Sequence, residues 1–194
     1  MKAPELKKRA EHGATIVEAA IVYGLLFLTL FAVIEFGLAF KDWLSVSHAS
    51  REGARAGATY GNDPRADIQI LRDVSGTLAA ASIADGLVVR IFKPDGLPTQ
   101  STTYTYTPGW DPSDNSPGGI LVGSCDWVPC PEPFRDTYDP PDWDPAIRVV
   151  EAPNTDRIAV EVQFTHTWIT GFFSPDADFT TVTDFAIEPQ LFSS

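Results

Sequence analysis

One carboxylate stands near the start of an otherwise apolar run: Glu18, five residues after Gly13 in Gly13-Ala14-Thr15-Ile16-Val17-Glu18. From Ala14 to Ile34 nearly every side chain is apolar, about 21 residues or roughly 32 Å as a helix, which matches the hydrocarbon thickness of a bilayer. A carboxylate at the centre of such a span costs about 2.5–3.5 kcal/mol, so one that stays there calls for a charged partner. The plain alternative is that Glu18 reaches the headgroups at the inner edge of an ordinary anchor.

The other chemistry-bearing residues are sparse. Cys125 and Cys130 are the only cysteines, and on an exported domain the simple expectation is a disulfide that pins a tight loop. A zinc site would need histidines, and His48 and His166 lie far off without ligand spacing. Asp111, Asp114, Asn115, Asp139, Asp142 and Asp144 offer oxygen donors on loop backbone, but with no EF-hand spacing or nonapeptide repeat; no metal or other cofactor is expected. His12, His48 and His166 fall in three separate elements, so no nucleophile and base are grouped and the chain reads as a non-enzyme. His166 itself is expected out of phase with the apolar side of its strand, and exposed. Trp110, Trp127 and Trp143 are candidates for a partner-binding surface, with a small core of the loop's own as the other reading.

The elements that must position these residues follow from charge and periodicity. Lys2, Lys7, Lys8 and Arg9 precede the apolar run, while Glu35, Lys41 and Asp42 are the first charges after it, so the positive-inside bias puts the N-terminus in the cytoplasm. That gives a basic cytoplasmic leader over 1–13, a transmembrane helix over 14–40 and an extracytoplasmic domain over 41–194. A secretory signal peptide begins in a similar way, but its apolar core is only about 7–15 residues long, and Ala32-Val33-Ile34-Glu35-Phe36 is a poor cleavage site.

Helix should continue past the membrane to Ala58, with Trp43, Leu44, Val46, Ala49, Ala54 and Ala58 available for one side, until Gly61-Asn62-Asp63-Pro64 stops it. Gly53 and Gly57 form a small-xxx-small pair that admits close backbone approach, and Arg51, Glu52 and Arg55 suit a solvated ion-pair face. A second helix starts with Asp63 as cap and Pro64 at its first position, and Ile68, Leu71, Val74, Leu78 and Ala81 recur along one side up to Asp85-Gly86. Strands are expected over 87–92, over 157–168 with Ile158, Val160, Val162 and Phe164 on one face, and over 179–187. Residues 108–153 read as a long irregular loop rich in Pro, Asp and Trp. The fold class is α+β: a long N-terminal transmembrane helix, then a second helix packed on a small antiparallel sheet.

Three strings in order carry a family resemblance. The chain has Gly13-Ala14 with Glu18 at the fifth position after the glycine, then Ile34-Glu35-Phe36-Gly37, then Ala49-Ser50-Arg51-Glu52-Gly53-Ala54-Arg55. The first resembles the processing site of type IV prepilins. Together they resemble the TadE-like family of minor pilins or pseudopilins of the tight-adherence (Flp-type) pilus, over roughly the first 58 residues. The resemblance implies a pilin-like fold, Gly13 and Ala14 flanking the cut of a prepilin peptidase, and partners among other pilins and pilus-assembly proteins in the inner membrane. Ala19 departs from the tyrosine of major Flp pilins, which makes the chain look less like a main filament subunit. A cut after Gly13 frees an α-amino group on Ala14, about one helical turn from Glu18, and in low dielectric the two favour pairing within a chain or between staggered subunits, which would set register.

Composition agrees. The net charge is −12 although the leader is basic, so the acidity lies in the domain, and nucleic acid is not an expected partner. The reading is a membrane-anchored minor pilin acting in pilus biogenesis and surface adhesion. The other reading is a single-pass, membrane-tethered extracellular binding protein that uses the Trp/Asp-rich loop.

Overall fold

A computed structural model of the chain describes residues 5–78, 87–106, 127–128, 142–171 and 176–189, the first ten of them as backbone only. Helix α1 runs unbroken from Glu5 to Tyr60, 56 residues. No proline occurs between Pro4 and Pro64, so nothing removes a backbone donor or crowds a preceding carbonyl along its length. It stops at Gly61, whose φ of +52° suits a residue without Cβ and whose N–H reaches the Gly57 carbonyl at 3.0 Å. Asp63 then accepts the Arg65 N–H at 2.7 Å on its carboxylate and the Ala66 N–H at 2.8 Å on its carbonyl, which starts α2, Ala66–Leu78.

Helix α2 folds back along the second half of α1. A Cβ placed on Gly53 would stand 2.7 Å from Val74 Cγ2, and one on Gly57 would stand 3.0 Å from Ile70 Cδ1 and 2.7 Å from Ile158 Cδ1. The glycine pair is thus a notch that receives α2 and the sheet within this same chain. Val46, Ala49, Ala54 and Ala58 are buried as expected, whereas Trp43 and Leu44 stay partly exposed, 39% each. Arg51, Glu52 and Arg55 are exposed, and no ion pair joins them among the described residues.

Five strands form one antiparallel sheet in the order β3-β2-β1-β4-β5: β1 Val88–Phe92, β2 Ser101–Tyr106, β3 Trp127–Val128, β4 Arg157–Thr167 and β5 Asp176–Ala186. Val160 in β4 faces Ile91 on one side and Thr183 on the other. Ile158, Val160, Val162 and Phe164 are buried against the helices, each contributing about 1.5–3 kcal/mol of apolar burial. Ser50 on α1 donates to the Val160 carbonyl at 2.8 Å, and Glu188 N–H reaches the Ala58 carbonyl at 2.9 Å. Strand β4 therefore runs opposite to α1, from near Ala58 back toward Asp42.

Two expectations are corrected. The order is not two helices and three strands, because β2 and the short β3 extend the sheet beyond β1. Nor is 108–153 uniformly irregular: Trp127–Val128 is a strand, and Pro145–Ile147 is a 3-10 turn capped by Asp144, whose carboxylate accepts the Ala146 N–H at 2.8 Å. Ala81, Asp85 and Gly86 lie outside the described residues.

Candidate functional site

Gly13, Ala14 and Glu18 lie on α1, and its backbone is helical through all three. The rise from Ala14 to Glu18 is about 6 Å, one turn, so an amine at position 14 and the Glu18 carboxyl share a side of the helix. Glu18 is exposed. So are its apolar neighbours, among them Ile16, Ile21, Leu25, Leu26, Phe27 and Val33, none of which is covered by the described residues of the domain. A helix apolar on all sides and bare of protein contact fits a hydrocarbon surrounding, and α1 is long and apolar enough to cross a bilayer once.

At the other end of the run a second carboxyl group is covered by the domain. Glu35 is 2% exposed, because the chain leaving β4 lies against α1 and the Thr170 N–H donates to Glu35 Oε1 at 2.5 Å. Two turns on, Asp42 Oδ2 lies 2.9 Å from His166 Nδ1. The His166 ring stands edge-on to Trp168, centroids 5.0 Å apart, and Trp168 in turn stands edge-on to Phe36 at 5.6 Å. His166 is buried, contrary to expectation: the two-residue period of a strand places it with Ile158, Val160, Val162 and Phe164, not opposite them.

Residues 13–55 match the model of the TadE-like protein family. No curated protein and no solved structure matches the chain. The TadE-like segment begins at the glycine before the apolar run and ends at Arg55, so it takes in the bare half of α1, Glu18, Glu35 and most of the half packed into the domain.

Outside the TadE-like segment, the loop candidates fare differently from one another. Cys125, Cys130 and Trp110 lie outside the described residues. Trp127 and Trp143 are 5% and 1% exposed. Trp127 stands edge-on to Tyr106 at 5.3 Å, and Trp143 lies under the Arg148 guanidinium at 4.6 Å. Arg148 Nη2 donates to Asp67 Oδ1 at 2.5 Å and the Tyr104 hydroxyl to Asp67 Oδ2 at 2.7 Å, a buried pair joining the first turn of α2 to a chain segment 81 residues later. No sequence pattern flagged Asp67, Arg148, Asp42 or the burial of Glu35; only an acidic residue in the first turn of a helix, favoured by its dipole, was open to view for Asp67. Glu52, Arg55, Tyr60 and Asp73 edge a shallow cleft between α1 and α2. Partial burial, with Glu52 adding to it, raises the Asp73 carboxyl above its ordinary range.

Proposed function

We propose that the chain is a minor pilin or pseudopilin-like component of a tight-adherence (Flp-type) pilus, held in the inner membrane by α1 before assembly, with its N-terminus in the cytoplasm and its domain outside. A prepilin peptidase cuts between Gly13 and Ala14, and the new amine pairs with Glu18 to set register among subunits; the assembled pilus serves surface adhesion. The observation that carries this reading is the coincidence of the family match over 13–55 with the stretch in which α1 passes from bare apolar surface to a face packed in the core. Such a helix serves in turn as lipid anchor and as shaft of a subunit. Burial of Trp127 and Trp143 takes two of three aromatics from the alternative, a tethered binding protein working through its loop.

Intact mass and N-terminal sequencing of the membrane-extracted protein, from cells whose pilus machinery is active, test the proposal. The expected chain lacks residues 1–13 and begins at Ala14. A mature chain that keeps Met1 refutes the processing step and leaves a single-pass anchor.

A further inference from the structure

The apolar surface of α1 does not end at Glu35. Phe36, Leu38, Phe40 and Trp43 remain exposed, from 36% to 59%. Beside them the chain leaving β4 brings Trp168 and Ile169, the latter 71% exposed. Between α1 and the sheet, Phe36, Ala39, Phe40, Trp43, Trp168 and Phe179 line an open groove of about 770 Å³ that is almost wholly apolar.

The geometry points to a second membrane contact: we propose that this groove and the described tip of the β4–β5 connection, Trp168 to Gly171, seat in the headgroup region of the leaflet on the domain's side, with lipid as the occupant. Continuity with the span is the first argument. At 1.5 Å per residue, Phe36 to Phe40 lie about 1.5–8 Å beyond Glu35, and the interfacial layer of one leaflet is about 5–8 Å deep. The Trp43 backbone, about 12 Å out, lies past this layer, and helix side chains lean back toward the N-terminus and so toward it. The aromatic composition is the second, since tryptophan is enriched at this depth and Trp43 keeps part of its ring exposed beside Phe36 and Phe40, while the Trp168 indole nitrogen is turned into the protein. The third is Glu35: the same tip covers its carboxyl group and gives Oε1 a backbone N–H, while Oε2 is buried without a hydrogen-bond partner among the described residues, so the group at the end of the span is turned to protein and not to lipid. The domain is thereby held against the membrane at two places, through α1 and through the tip, and cannot roll freely about the helix.

The test uses the full chain in nanodiscs holding one copy each, with lipids brominated either high on the acyl chain or near its end. Ile169→Trp adds an emitter at an exposed position of the tip; Leu97→Trp adds one on the exposed β1–β2 turn, at the opposite end of the sheet. Leu26→Trp, on the bare middle of α1, reports the span itself. The emission added by Ile169→Trp should fall at least about twofold with bromine placed high, and less with bromine at the chain end, while that of Leu97→Trp stays unquenched. Leu26→Trp should show the reverse depth preference. If Leu26→Trp is quenched and Ile169→Trp is no more affected than Leu97→Trp, the tip contact is overturned while the span stands. If Ile169→Trp responds only when several copies share a disc, the groove belongs to a second copy of the chain and the lipid proposal is equally overturned.

Discussion

A single methyl group added to the α1 notch gives a sharp test of the packing that joins the shaft helix to the domain. At Gly53 the new Cβ meets Val74 Cγ2 at 2.7 Å, with Val160 Cγ1 at 3.3 Å behind it. Valine in a helix is held to one χ1 rotamer, so Val74 cannot swing aside and the backbones must part. Overpacking of this kind costs about 1–3 kcal/mol, against which the better helix propensity of alanine returns about 0.8–1 kcal/mol. Gly53→Ala should therefore destabilise by about 1 kcal/mol net. At Gly57 the nearest atoms are the Cδ1 ends of Ile158 and Ile70, which can rotate away, and Gly57→Ala should come out near zero. Gly76 on α2 has nothing within 4 Å, so Gly76→Ala gains propensity alone and should stabilise by about 1 kcal/mol. Urea unfolding of the full chain in detergent micelles, followed by tryptophan emission, ranks the three. A Gly53→Ala chain as stable as Gly76→Ala would falsify the notch; a double mutant with Val74→Ala should show coupling of about 0.5–3 kcal/mol in the relieving direction.

Arg148→Met should lower stability by about 3–5 kcal/mol in thermal melts, because it strands the buried Asp67 carboxylate, and Asp67→Leu in the same chain should recover most of that loss. Asp73 has a folded pKa raised above its unfolded one, so its stabilising contribution is whole below the unfolded value, near pH 4, and is lost as pH rises through the folded one. Asp73→Asn should then flatten that decline in the weakly acidic range and add about a few tenths of a kcal/mol at pH 7; an unchanged pH profile of the melting temperature contradicts the assignment. Glu18→Ala should leave the protein in the membrane fraction while pili become few or absent by electron microscopy, and normal piliation removes the amine–carboxylate pairing. Gly13→Leu should block the cut and leave a heavier band on a denaturing gel.

What the sequence disclosed and what it hid divide by range. A bare apolar run, a proline-free helix and the alternation of β4 are local patterns, and Ile158 through Phe164 fell on one face as periodicity required. Strand β2 escaped notice because the residues it buries, Thr102 and Tyr104, carry hydroxyls among other threonines, so the hydropathy contrast that marks a half-buried strand is faint. The Asp67–Arg148 pair spans 81 residues and the Glu35–Thr170 contact 135, and no window reading couples positions so far apart. Glu35 was legible as a flanking charge; that a strand end would come back to cover it was not. His166 turned on parity alone, a single-position slip that exchanges the two faces of a strand.

The unbroken course of α1 has a mechanical corollary. With no proline or turn between Ile34 and Tyr60, the domain is mounted like a sail on a mast and lacks a joint at its foot. That stretch is about 39 Å long, so a tilt of about 20°, ordinary for a spanning helix, would sweep the upper end sideways by about 13 Å. Any axial pull on the helix from below would likewise be delivered to the whole domain at once, as to a piston on its rod.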